Sequence, residues 1–411
     1  MHISEPALPL FTKLLILLVA ARLLGEVFER LRQPAMIGEI IAGIVLGPAV
    51  LNLIHRTEEV RVISELGVFL LVIIAGLEIN IDDILRSMRG KNIIISLSAF
   101  FVPITAGFLT AYFFGKDLRT NLFTGLCVAI TALPVSIRIL MDLGRIQSPL
   151  GQLIVSVAIF DDVMALTILG IILQTKGITP DVGGLVEISV LSLLKLAFFI
   201  GVISLSYGAV RRVSRRPDYL ENQISKLIGF LRGREPLFAL FFVFVLVFAT
   251  ITESLGFHFI VGAFFASLLL SEHIIGKNHM NTIQNTTQSL AMGFLAPVFF
   301  AGIGLEFQFK SLQNPAFLMA VIVVSYLSKI LGGYLGGRLA GMKGPESFVL
   351  GLGLNARGIM ELVIANIAYK SGMITNEVFS ILVVMGVLTT LTTPLVLKRG
   401  FRYMEALSRA S

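Results

Sequence analysis

Charge is what this chain has least of. Asp, Glu, Lys and Arg make up 14% of its 411 residues, against about 25% in soluble domains. Hydrophobic residues make up 55%, and the mean hydropathy is +0.88. The chain is a polytopic membrane protein. Its single cysteine, Cys127, excludes an intramolecular disulfide. None of the five histidines (His2, His55, His258, His273, His279) lies mid-way along an apolar run. Histidine is therefore a poor central proton carrier, and no spacing points to a zinc or iron site or to a cofactor. The net charge of +7 is spread over short loops, which argues against a nucleic-acid partner. Met1 to Gly25 lacks a basic leader and is interrupted by Lys13, so it reads as a membrane helix and not a signal peptide. No polar stretch of domain size follows the last apolar run, so a regulatory domain is expected on a separate chain.

What is there is a series of apolar runs, near 7–29, 35–53, 61–80, 92–114, 120–142, 150–173, 185–210, 236–255, 257–272, 290–307, 315–340, 346–369 and 377–397. The eighth and ninth are separated only by a short turn near Gly256, so thirteen helices compete with twelve. Loop charge decides between them. With thirteen helices and the N-terminus outside, twenty loop Lys and Arg fall inside and seven outside. An all-α protein, N-out and C-in, with about thirteen transmembrane helices is expected.

The polar stretch from Arg211 to Glu235 is the longest in the chain and divides it into halves. A weak echo relates them: Ile40 to Gly47 in the second run resembles Ile260 to Ser267 in the ninth. Copies seven helices apart have opposite orientation, the inverted-repeat plan of secondary transporters. The same offset pairs the fifth run with the twelfth. The fifth carries Thr131-Ala132-Leu133-Pro134-Val135-Ser136, a mid-membrane proline that removes a backbone hydrogen bond. The twelfth carries Gly351-Leu352-Gly353-Leu354-Asn355-Ala356-Arg357-Gly358. Two interrupted, crossing helices at matching positions point to a midplane binding site, where loosened carbonyls ligate a cation. A Pro kink with a small-residue packing face is the plainer alternative.

Phe160-Asp161-Asp162-Val163 lies inside the apolar run from Gly151 to Leu173. Ionisable groups at that depth cost roughly 3 kcal/mol each and mark functional sites. Adjacent helical residues point about 100° apart, so the two carboxyls cannot share one environment. Among basic residues, Lys13, Arg22 and Arg138 lie near helix ends and can snorkel. Lys195 is deep but has no motif around it. Lys329 is mid-run, beside Gly332, Gly333, Gly336 and Gly337, and needs a partner such as the acid pair. Arg357 has Glu361 four residues on, a spacing that pairs them for structure or as compensation at the helix break. Glu39, Glu65 and Glu78 lie near helix ends or outside the interrupted pair, which favours structural roles.

These residues resemble the monovalent cation:proton antiporter-2 family. The resemblance rests on Gln33 to Pro48, Phe257 to Leu270, Leu295 to Leu305 and Asn355 to Leu362, in that order. It implies a sodium/proton antiporter, since members with an Asp-Asp pair and a lysine at the position of Lys329 are of that kind. A potassium/proton or electroneutral exchanger remains the alternative, because the Asn355 to Leu362 block is similar to the plant cation/proton exchangers. By resemblance, Asp162 binds Na+ (or Li+ or K+) and Asp161 pairs with Lys329; a hard cation prefers oxygen, which the Thr131 region and water can supply beside Asp162. The resemblance also implies a homodimer in a bacterial inner membrane, working as an elevator. Residues 92–173 and 315–397 form the moving core, and 1–91 and 236–314 the dimer scaffold. Residues 174–235 then hold the linker helix and cytoplasmic loop, and 398–411 the cytoplasmic tail.

The chemistry is competition. Burial disfavours a bare carboxylate, so a proton or a hard cation must neutralise it, each displacing the other. Exchange of two protons per Na+ moves one net charge, worth about 2.3 kcal/mol per 100 mV. The classes weighed against this are an ion channel, a sodium-coupled organic-solute symporter and an intramembrane aspartyl protease. The last needs acids on two facing helices, whereas Asp161 and Asp162 adjoin on one. A transporter and not an enzyme is expected.

Overall fold

The computed structural model describes residues 8–31, 33–55, 57–79, 90–174, 194, 201, 235–270 and 277–410. Among the described residues there are helices and turns but no strand. Lys195, the seventh run and the polar loop 211–234 lie outside the described residues, as does the side chain of Arg138.

In chain order the helices are α1 (Leu10–Arg30), α2 (Ala35–Leu46), α3 (Glu58–Glu78), α4 (Asn92–Phe113), α5 (Leu118–Ala129), α6 (Leu133–Asp142) and α7 (Pro149–Leu173). After the undescribed stretch come α8 (Glu235–Ser254), α9 (Phe259–Leu269), α10 (Lys277–Leu290), α11 (Ala296–Glu306), α12 (Pro315–Leu339), α13 (Gly344–Gly353), α14 (Ile359–Lys370) and α15 (Asn376–Ala410). Seven described helices are long and apolar enough to cross a bilayer. Two further apolar helices, Ala35–Leu46 and Phe259–Leu269, are shorter. These are the two that carry the internal echo.

Several boundaries depart from the hydropathy reading for physical reasons. A π-helical turn at Ala291–Leu295 joins α10 to α11, so this helix begins at Lys277 and not near 290. Such a turn opens the ladder just before Pro297, whose missing N–H then leaves no gap. The last helix does not stop near 397 but runs on to Ala410. Between α8 and α9 the chain reverses at Gly256, whose φ of +86° only glycine adopts without strain.

Two compact units emerge, one of Met1–Val68, Ile84–Ala165 and Met292–Ser411, the other of Phe69–Asp83 and Leu166–Ala291. In the first, backbones approach wherever glycine replaces a side chain. A Cβ on Gly43 would strike the Ala301 carbonyl, and one on Gly304 the Ile40 carbonyl, which seats α2 on α11. Lys13, which could snorkel by its sequence position, is buried instead at 8% exposure. Arg22 remains half-exposed, 3.9 Å from the buried Glu39 carboxyl. In the second unit, Gly262 of α9 packs on Ala249 of α8, 2.7 Å from a Cβ placed there. Phe69 lies between Phe242 and Phe259, with ring centroids 6.3 and 6.0 Å away.

Candidate ion site at the crossing of two interrupted helices

The candidate site lies wholly within the first unit, where two helices stop mid-way. The α5 ladder ends at Ala129, and Ile130 turns extended, with φ −72° and ψ 142°. The chain resumes helix at Leu133, with Pro134 in the first turn of α6. At that position a missing N–H costs nothing, because first-turn donors have no helical acceptor. The break thus precedes the proline. The second interruption runs from Leu354 to Gly358, between α13 and α14. The two breaks are joined by backbone, the Ala132 N–H donating to the Ala356 carbonyl at 2.8 Å. Gly358 permits the approach, since a Cβ there would sit 3.0 Å from that of Ala132.

An interrupted helix exposes carbonyls at its C-terminal end, a site of partial negative charge. At α5 these carbonyls are covered by two cations. Arg357 donates through Nη1 to the carbonyls of Cys127 (2.7 Å) and Ile130 (3.2 Å), and through Nη2 to that of Ser325 (3.2 Å). Lys329 donates to the Ala129 and Ala99 carbonyls. At α13, Asn355 Nδ2 donates back to the Gly351 carbonyl at 3.1 Å. The hydroxyl of Thr131 faces both the Leu354 carbonyl (3.0 Å) and Asp161 Oδ2 (2.7 Å).

Lys329 reaches this point because α12 is stripped of side chains beyond it. Gly332 and Gly336 lie against Ser98 and Ile95 of α4, while Gly333 and Gly337 lie against Gly351 and Ser347 of α13. Wedged between those helices, the Lys329 ammonium meets Asp161 Oδ2 at 2.7 Å, with both side chains at 0% exposure. Asp162 is equally buried. Asp161 makes the direct contact with Lys329, and adjacent helical residues diverge by about 100°.

The structure brings Thr131, Asp161, Lys329, Asn355 and Arg357 to one crossing, with Asp162 and Pro134 next to them in sequence. It does not join Arg357 to Glu361 by a hydrogen bond. The four-residue spacing suggested that contact, but the guanidinium is turned toward the carbonyls of α5 and α12 instead. Thr390 of α15 went unmarked in the sequence, and its hydroxyl fixes the Arg357 carbonyl at 2.7 Å. A threonine in a polar-flecked terminal helix carries no signal of its own. Backbone acceptors such as Ala99 and Ser325 have none at all.

A family model described as sodium/hydrogen exchanger, transmembrane, matches residues 14–399. The chain belongs to the sodium/hydrogen exchanger family. Among curated relatives it is similar to the Na(+)/H(+)-K(+) antiporter GerN of Bacillus cereus, with 29% identity across 98% of each chain. It is also similar to a probable Na(+)/H(+) antiporter of Methanocaldococcus jannaschii, with 26% identity across 92% of each. Its fold is that of the sodium proton antiporter MjNhaP1 from the same archaeon, with a TM-score of 0.67 over 97% of both chains at 16% identity. Within this exchanger, the crossed breaks and the buried Lys329–Asp161 pair lie inside the matched segment.

Proposed function

We propose that this exchanger moves a monovalent cation, Na+ foremost, in exchange for protons, with Asp162 as the carboxylate that alternately holds one or the other. The observation that carries this reading is the 2.7 Å pair between Lys329 and Asp161 at zero exposure. That pair engages Asp161 directly, and Asp162, equally buried one residue on, is the carboxylate assigned to the ion. A hard cation takes oxygen ligands, which the Asp162 carboxylate supplies. Arg357 and Lys329 offset the negative end of α5, so an incoming cation meets a compensated dipole there.

If the Asp161–Lys329 pair also opens and takes up a proton in each cycle, two protons move per Na+ and transport is electrogenic. Residues 92–173 and 315–397 then move as an elevator core against a dimer scaffold of 1–91 and 236–314, in a bacterial cell membrane. The chain would be N-out and C-in, with thirteen spans. A second reading, exchange of K+ for protons, is favoured by the name of the Bacillus cereus relative, which couples both ions. Purified protein in liposomes with an imposed pH gradient tests these readings. Na+ or Li+ should collapse the gradient at lower concentration than K+. The reverse order supports the K+ reading, and no collapse by any of the three refutes antiport.

A further inference from the structure

Among the described residues, Glu361 is a fully buried acid near the crossing that the exchange at Asp162 does not use. It sits in the first turn of α14 at 0% exposure. Neither of its carboxyl oxygens has a hydrogen-bond partner among the described residues. Its carboxyl lies against Gly386 of α15, where a Cβ would fall 3.1 and 3.2 Å from the two oxygens. A methyl there would press on the carboxyl and make it give by a few tenths of an ångström. The two threonine hydroxyls that follow Gly386 on α15 are already engaged. The hydroxyl of Thr389 is bonded to the Met385 and Gly386 carbonyls, and that of Thr390 to those of Gly386 and Arg357. The titratable groups whose charge couples with Glu361 are Arg357 on its own segment and Cys127 on α5. The Arg357 Nη groups are committed to carbonyls, and its Nε has no partner among the described residues.

Burying a bare carboxylate without donors is far costlier than burying the neutral acid. We propose that Glu361 carries a proton in this conformation and is a proton-binding site of the exchanger separate from Asp161 and Asp162. When that proton leaves to water, the carboxylate needs a cation, and Arg357 stands four residues back in the break, with its Nε unpartnered among the described residues. Drawing the guanidinium toward Glu361 loosens its hold on the Cys127 and Ile130 carbonyls. The proton on Glu361 therefore sets how firmly the broken end of α5 is held. The site requires nothing of the ion chosen at Asp162, and its test does not depend on transport.

Infrared spectroscopy of the purified, lipid-embedded chain at neutral pH reads this directly. A protonated carboxyl that lacks hydrogen bonds absorbs at the high-frequency end of the carboxylic carbonyl range. The native protein should show such a band. It should persist in Asp162→Asn and disappear in Glu361→Gln. Absence of the band in the native protein, or its full retention in Glu361→Gln, overturns the proposal. Should Glu361→Gln fail to fold, Gly386→Ala presses a methyl on the same carboxyl and should shift the band. A band that Gly386→Ala leaves unmoved overturns the assignment. Loss of exchange activity with the band intact would count against the function proposed for Asp162 and leave this site standing.

Discussion

The amide of Ala132 donates to the carbonyl of Ala356 at 2.8 Å, so the two interrupted helices are hydrogen-bonded to each other at their breaks. Groups orphaned by one interruption are thereby satisfied by the other. Non-helical backbone at membrane depth persists only where protein buries it or a cavity hydrates it. Here the crossing is closed further by Arg357, Lys329 and Thr131, each holding a carbonyl that no helix uses.

Removing Lys329 should therefore harm the fold as well as transport. Lys329→Ala leaves Asp161 buried without its ammonium and uncovers the Ala99 and Ala129 carbonyls. Breaking a fully desolvated pair from one side costs about 3–5 kcal/mol. Thermal melting in detergent should fall markedly for Lys329→Ala and largely recover in the double variant Lys329→Ala, Asp161→Ala. Equal melting temperatures for native protein and the single variant would show that the pair contributes nothing to stability.

Arg357 makes a different kind of contact, and a methionine of similar length tests it. Arg357→Met strands the carbonyls of Cys127 and Ile130, at about 1–3 kcal/mol for each acceptor left unsatisfied, and takes a second donor from that of Ser325. Arg357→Lys should recover only part of that loss, because one ammonium cannot match the guanidinium fork. A lysine variant as stable as the native protein would mean that the forked geometry is dispensable.

Much of this arrangement was legible in the sequence, and the illegible part has a common cause. The Asp161-Asp162 doublet, Lys329 and the glycines beside it, and the Gly-rich break before Arg357 all stand out because polar or small residues interrupt apolar runs. The partner of Arg357 did not stand out. Glu361 lies at helical spacing and is visible as a side chain, whereas the actual acceptors are backbone carbonyls of α5, identical in every residue. Pro134 removes a hydrogen bond in its preceding turn, and there Ile130 turns extended, with the proline in the first turn of the next segment. The π-helical turn before Pro297 is likewise a backbone accommodation that hydropathy does not register.

Close packing of α12 gives a test that touches no charge. A Cβ on Gly336 would lie 2.8 Å from the Ile95 Cα, whereas Gly344 has nothing within 4 Å. Gly336→Val should lower stability by about 1–3 kcal/mol through overpacking, with Gly344→Ala close to neutral. Comparable melting temperatures for both variants would argue against the tight seating of α12 on α4.

Charge movement separates the electrogenic reading from its electroneutral relative. In liposomes at equal pH on both sides, an imposed inside-negative potential should draw net positive charge inward and drive Na+ outward. Na+ flux that ignores the voltage would mean that Asp161 stays paired with Lys329 and only Asp162 exchanges.

Exchange by this chain requires that proton and cation compete for Asp162. Adding saturating Na+ to the purified protein in weakly buffered solution, and counting the protons released, measures that competition without transport. Release of at least one proton per chain is expected for the native protein, with none from a folded Asp162→Asn variant. Na+ binding without proton release, or release undiminished in Asp162→Asn, would contradict it.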